Sequence, residues 1–308
     1  MNAVNRQETA TGLSLKEHAR RKRAMSARSA LTAYAFLLPW IVGVLLFMAY
    51  PLLYSLFLSF HKLVVSPDGS GLDYIYVGMD NFKYAFLRDN VFPIEMLLFW
   101  RESLLIIPIT VLFALLVSLL LNQKFPGRMI FRAIFFLPVI FATGKVLMEL
   151  FAQGQGDLPF AEQYDLAGMI YDTFPPVLAD PIVSLLRKFI IVLWYSGVQV
   201  IIFLAAFRTV PPSTYEAAQI DGVTPWESFW KITFPSIVPF IFLNLIYTLV
   251  DLSTYSFNPI INHILGNMSN LKTGYGYASA LGWIYFAFIF VLVAILARIS
   301  LRFNRREV

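Results

Sequence analysis

Residues 216–239 read EAAQIDGVTPWESFWKITFPSIVP, from Glu216 to Pro239, and they lie between two long apolar segments. Upstream, Pro211-Pro212-Ser213-Thr214 stops the preceding segment and offers a cap for a new helix. Ser213 or Thr214 is placed to accept from freed backbone donors, and Glu216 suits the positive N-terminal end of a helix. Tyr215 to Ile220 is then long enough for about two turns. Gly222 permits a tight turn that a side chain would obstruct. Thr224-Pro225-Trp226-Glu227 reads as a second helix start, with proline near the first helical position. Trp226, Phe229, Trp230 and Ile232 form an apolar surface, and Pro235 and Pro239 bracket the start of the next apolar run. Such an insert is either a docking element or an amphipathic helix lying in a membrane interface.

Composition places the chain in a membrane. It is 58% hydrophobic and 14% charged, against about 25% charged in soluble domains, with a mean hydropathy of +0.67. There is no cysteine, so disulfides and thiolate metal sites are excluded. The net charge of +5 does not point to nucleic acid, because many Lys and Arg sit beside apolar segments as topology signals do.

Six segments reach the roughly 20 apolar residues that a membrane helix requires: Leu31–Phe60, Leu104–Leu121, Met129–Phe151, Phe189–Phe207, Ile237–Asn258 and Tyr275–Ser300. Pro39 and Pro51 are expected to bend the first. That segment is too long for a secretory signal core and reads as an uncleaved span. The expected fold class is an all-α integral membrane protein with six transmembrane helices. A basic segment, residues 1–30, precedes a membrane domain of residues 31–308, with outer segments at 61–103 and 153–186 and a cytoplasmic loop at 208–236. In the second outer segment, Pro175-Pro176 and Pro181 are expected to separate short helical pieces.

Positive charge orients the chain. Arg6, Lys16, Arg20, Arg21, Lys22, Arg23 and Arg28 precede the first span, Lys124, Arg128 and Arg132 follow the second, and Arg298, Arg302, Arg305 and Arg306 close the chain. All lie inside if both termini are cytoplasmic, which also puts residues 216–235 in the cytoplasm. Residues 153–184 are acidic and carry no Lys or Arg. The exceptions are Lys62, Lys83, Arg88, Arg101 and Lys272 in outer segments, and Arg187 and Lys188 at the outer start of span four.

Glu216-Ala217-Ala218, then Gly222, then nine residues to Ile232 and a closing Phe234-Pro235, resembles the EAA loop of permease subunits of binding-protein-dependent ABC importers. The family usually has Leu before that last proline. Further likeness lies in Phe36-Leu37-Leu38-Pro39, Tyr50-Pro51, Ser59-Phe60, Val77-Gly78-Met79-Asp80-Asn81-Phe82 and Phe136-Leu137-Pro138. The resemblance is to sugar-type permeases similar to the maltose and glycerol-phosphate importers, and residues 153–186 are longer than usual for them. It implies a multi-pass protein of the bacterial or archaeal cytoplasmic membrane, forming half of a path for a carbohydrate or related solute. It implies a second permease subunit, two ATPase subunits that hold ATP and Mg, an extracytoplasmic solute-binding protein, and surrounding lipid. Glu216, Ala217, Ala218, Asp221, Gly222, Phe229, Ile232 and Pro235 would dock the ATPase. Movement of that docked helix would switch the spans between outward and inward openings.

Polar residues inside spans face a bundle interior or a wet path. Asn244, Tyr247, Asp251, Tyr255 and Asn258 are spaced to share one helical face, and Trp194, Tyr195 and Gln199 add to them from span four. A substrate path and an interhelical hydrogen-bond seam both fit this stripe. Lys145 and Glu149 on span three suit a buried pair or the outer end of the path. The sequence contains no phosphate loop, no His-Glu-x-x-His and no Gly-x-Ser-x-Gly. His18, His61 and His263 fall in separate regions. The chain is therefore expected to be no enzyme, with no catalytic residue, metal site or cofactor of its own. The alternative is a stand-alone proton- or ion-coupled secondary transporter using Asp251 or Glu149.

Overall fold

The computed structural model describes residues 32, 34–66, 71–141, 164–187, 189–255, 258–270 and 272–304. Two compact units divide the chain, Met1–Leu58 and Ser59–Val308. The first unit contains, among its described residues, most of one apolar helix, α1 (Tyr34–Ser59). A π turn at Leu45–Ala49 interrupts it immediately before Tyr50-Pro51.

The second unit opens with an antiparallel hairpin, β1 (His61–Val65) and β2 (Leu72–Tyr76), with His61 opposite Tyr76 and Val65 opposite Leu72. Residues 61–76 thus add a two-stranded hairpin, which the sequence reading did not include, to a mostly helical fold. The hairpin is closed by Asn81, whose Nδ2 donates to the Ser59 and His61 carbonyls at 2.8 and 3.2 Å. Gly78 makes the turn before it at φ 55°, a backbone region that glycine occupies without steric cost.

Then follow α2 (Asp80–Leu87), α3 (Phe92–Asn122), α4 (Arg128–Phe141), α5 (Leu166–Thr173), α6 (Pro176–Arg187), α7 (Phe189–Ala206), α8 (Pro212–Ile220), α9 (Pro225–Ser253), α10 (Pro259–Met268) and α11 (Gly274–Asn304). Among the described residues, α1, α3, α9 and α11 are long and apolar enough to cross a membrane, and α7 is a shorter apolar helix. The third expected span is described only as α4. The Lys145–Glu149 pair lies outside the described residues.

Helix α7 packs on α3, α4 and α9, while α9 also packs on α3 and α11. Three apolar clusters stack along this bundle. One end joins Val111, Leu121, Val200, Phe203, Phe207 and Ile237. The middle joins Ile106, Ile107, Val192, Leu249 and Leu252. The opposite end joins Ala85, Phe92, Phe99, Ile260, Leu281 and Tyr285.

Prolines behave differently from expectation in two places. Helix α6 runs through Pro181, so only the Phe174-Pro175 break separates it from α5. Helix α3 starts at Phe92, well before the expected Leu104, and contains Pro108. Arg101 and Glu102 are therefore within that helix. Both π turns have a shared cause. Each directly precedes an aromatic-proline pair, Tyr50-Pro51 or Phe234-Pro235, and the aromatic N–H bonds five residues back, to Leu45 or Phe229. A proline ring clashes with the carbonyl four residues before it, and a widened turn relieves that clash.

Candidate functional site

The insert folds as two short helical pieces joined by a glycine turn. Pro211, in extended geometry, is the N-cap of α8, and Pro212 is its first residue. This corrects the expected Ser213 or Thr214 cap: proline already lacks the donor that a cap would satisfy. Helix α8 ends in a Schellman motif. Val223 N donates to Ala218 O at 3.0 Å and Gly222 N to Gln219 O at 3.1 Å, with Gly222 at φ 76°.

Thr224 then caps α9 with a reciprocal pair of bonds. Its hydroxyl accepts from Glu227 N at 3.3 Å, while Thr224 N donates to Glu227 Oε2 at 3.1 Å. This capping box satisfies two of the donors that a helix start leaves free. Glu227 also meets Lys231 Nζ at 3.3 Å, an exposed pair of small energetic value. Tyr215 ties α8 to the π turn through its hydroxyl, 3.0 Å from Thr233 Oγ1.

These bonds hold the insert's backbone while leaving its side chains presented outward. Glu216, Ala217, Asp221 and Gly222 are exposed, Ala218 is buried, and Phe229, Ile232 and Pro235 are half-buried. Trp226 is 70% exposed and Ile220 86% exposed. Trp226, Phe229, Trp230 and Phe234 stack into one aromatic ridge with neighbouring centroids 5.0–6.5 Å apart. An apolar ridge left in the open marks a partner or membrane surface.

The polar stripe of the fifth span does not share one continuous helix. Helix α9 ends at Ser253, and Asn258 is the N-cap of α10. Its Oδ1 accepts from Ile260 N at 2.9 Å, and its Nδ2 donates to Ser253 O at 2.9 Å and to Tyr285 Oη at 2.7 Å. The cause is Pro259, which disfavours helical geometry at the preceding residue.

Gln199 and Asn244 are fully buried. Gln199 Nε2 donates to Thr248 Oγ1 at 3.0 Å, and Thr248 Oγ1 donates to Asn244 O at 2.7 Å, so α7 and α9 are seamed together here. Gln199 Oε1 and both side-chain polar atoms of Asn244 have no protein partner among the described residues. Tyr247 is partly exposed, and Asp251 is half-buried one turn further on. Tyr255 sits between rings, 6.4 Å from Phe99 and 6.2 Å from Tyr195. The stripe therefore divides into a buried seam and a more open pair, Tyr247 and Asp251.

Sequence spacing did not reveal a buried cluster at the hairpin end. Asp89 Oδ2 accepts from Tyr277 Oη at 2.5 Å and from His263 Nε2 at 2.9 Å. Its Oδ1 accepts from Val91 N and Phe92 N at 2.8 and 3.1 Å, capping α3. Burial works against the Asp89 charge, but the bonds from Tyr277, His263, Phe92 and Val91 outweigh it and hold its pKa at about 2.

No family model matches the chain. It is 28% identical over 293 residues to the probable ABC transporter permease protein YesP of Bacillus subtilis, covering 88% of this chain and 90% of that one. It is 24% identical over 301 residues to the multiple sugar-binding transport system permease protein MsmF of Streptococcus mutans, covering 91% and 100%. The lactose transport system permease protein LacF of Rhizobium radiobacter is 28% identical over 238 residues, covering 71% and 73%. A chain of a bacterial ABC transporter involved in the import of alginate shares the fold, with a TM-score of 0.61 at 22% identity over 89% of this chain and 96% of that one. With its long apolar helices and the insert between α7 and α9, the chain is similar along most of its length to permease subunits of ABC transporters.

Proposed function

We propose that the chain is half of the translocation path of an ATP-driven importer for a carbohydrate or related solute, and that residues 212–235 are its ATPase-docking element. Six spans with both termini cytoplasmic is the arrangement we favour, because it puts the insert, residues 124–132 and the basic tail on one side. The ATPases would hold ATP and Mg. A second permease subunit and an extracytoplasmic binding protein would complete the assembly in the cytoplasmic membrane.

One observation carries the docking reading. The insert's backbone is fixed by the Gly222 Schellman turn and the Thr224–Glu227 capping box, while Glu216, Ala217 and the Trp226 ridge remain exposed. A connecting loop needs no such fixed, outward-facing geometry, whereas a coupling element has to transmit movement without bending. Carbohydrate as cargo is supported by the names of MsmF and LacF.

The test is purification of the full chain from its native membrane in mild detergent, followed by an ATPase assay. Co-purification of an ATPase with the wild type, lost in Glu216→Arg, supports the reading. A preparation with the complex-preserving lipids retained and no associated ATPase overturns it and transfers weight to a self-sufficient transporter using Asp251.

A further inference from the structure

Four of the seven cations that violate the topology rule converge on one place. Lys62 at β1, Lys83 on α2, Arg88 at the end of α2 and Lys272 before α11 line one cavity of about 560 Å³. They come from three parts of the chain, and all four are exposed. Asp80 is the acidic residue of the lining, and it is paired with Lys83 at 3.9 Å. Among the described residues, Lys62, Arg88 and Lys272 have no ion-pair partner. The cavity thus holds a clear excess of positive charge, and a concave wall of one sign concentrates counter-ions.

The cavity lies at the end of the bundle opposite the insert. Helices α3, α9 and α11 each run from one end to the other, and Phe92, Ser253 and Gly274 mark the cavity end, whereas Asn122 and Phe234 mark the insert end. With the insert cytoplasmic, the cavity faces outward. Lys and Arg are disfavoured as outer-loop residues near spans, so a cluster of them there answers to something other than topology.

Size and wall chemistry narrow the ligand. A volume of this order suits a small organic molecule and greatly exceeds a lone inorganic anion. Tyr84 is partly exposed in the wall, with its ring against Tyr277 at 5.0 Å, and a flat aromatic beside cations suits a sugar ring that carries an acidic group. The wall is also held in place: Tyr277 is fixed by Asp89, and Asn81 anchors the hairpin.

We propose that this cavity is an outward-facing binding site for an anionic saccharide, one bearing a carboxylate or phosphate, and that it selects acidic cargo before translocation. The inference rests on the importer reading and narrows its substrate class.

The experiment is calorimetric titration of the full chain in nanodiscs of phosphatidylcholine, using digalacturonate, glucose 6-phosphate and maltose as probes. Digalacturonate or glucose 6-phosphate should bind and maltose should not, and the stronger of the two acids identifies the charged group. The combined variant Lys62→Gln, Arg88→Gln and Lys272→Gln should weaken binding at least about tenfold, since charge-assisted bonds are the strong ones. Raising salt should weaken wild-type binding in the same direction, a readout independent of variant folding.

Equal binding of maltose, no binding of either acid, or unchanged affinity in the combined variant overturns the proposal. Loss of acid binding in phosphatidylglycerol nanodiscs at matched salt would reassign the cavity to lipid headgroups. Capture of an acidic binding protein through the same cations, without saccharide binding, would reassign it to docking. A chain that recruits an ATPase yet ignores both acids sinks this inference alone. A chain that binds acids yet recruits no ATPase sinks the importer reading instead.

Discussion

Asp89→Asn isolates the charge of the buried cluster from its geometry. Asparagine retains an Oδ1 to accept from Val91 N and Phe92 N, so the α3 cap survives. What it loses is the negative charge facing His263 Nε2 and Tyr277 Oη. The fall of the Asp89 pKa from 3.8 to about 2 measures that loss. At about 1.4 kcal/mol for each tenfold change in acidity, the ionised form stabilises the fold by roughly 2–2.5 kcal/mol at neutral pH. The side chain is 8% exposed, so solvent screening takes little of it. The sign follows from linkage. A folded pKa below the unfolded one gives stability that is complete well above 3.8 and disappears as pH falls through about 2. Removing that stabilisation should lower the melting temperature by roughly 4–8 °C. The assay is thermal unfolding of the purified chain in detergent, followed by tryptophan fluorescence at pH 7 and at steps down to acid. Wild type should lose stability relative to Asp89→Asn across the window between those two pKa values, until the two converge. Coincident melting at pH 7, or an unchanged gap at the acid limit, would refute the reasoning.

Three further outcomes follow from the insert and the seam. Thr224→Ala removes half of the capping box, which costs about 1 kcal/mol at the start of α9; hydrogen exchange at Trp226–Phe229 should quicken roughly fivefold while the bundle amides stay unchanged. Gly222→Ala forces a Cβ into φ 76° with nothing nearby to clash, so strain of about 1 kcal/mol acts locally. Its ATPase association should weaken in a pull-down while the melting temperature holds. Asn244→Leu removes both buried, unpartnered polar atoms. If Asn244 belongs only to the seam, thermal stability should hold or rise and uptake should persist; lost uptake with intact stability would place Asn244 on the substrate path.

Much of the architecture is readable from residues close in sequence. Uninterrupted apolar runs mark α3, α7, α9 and α11, because lipid requires length and apolarity of any helix that crosses it. The Thr224–Glu227 start and the Gly222 turn are local chemistry, and they match the structure. The hairpin also carried a usable signal: aromatic and β-branched residues flank Ser66-Pro67-Asp68-Gly69-Ser70-Gly71, a turn-rich interval between two strand-like runs. That signal is short and weak beside the long apolar runs on either side. The 244–258 stripe is divided because Pro259 disfavours helical geometry at Asn258, so helical spacing does not continue across that pair. Other features have no local signature at all. Asp89 meets His263 and Tyr277 across 174 and 188 residues, and the four cavity cations are united only by folding. Their common trait in the sequence was to break the charge rule one at a time.

What touches residues 212–235 decides between a coupled importer and a self-sufficient transporter. The chain contains no cysteine, so Ala217→Cys supplies a single exposed thiol on α8. Native membranes carrying this variant would be treated with a short bifunctional crosslinker, with and without ATP, and probed for adducts. The expected result is a covalent adduct between this chain and an ATPase subunit, with a yield that changes on ATP binding, and labelling of the thiol by an impermeant maleimide only from the cytoplasmic side. Labelling from the outer side, or a thiol that never crosslinks to an ATPase present in the same membranes, would contradict it.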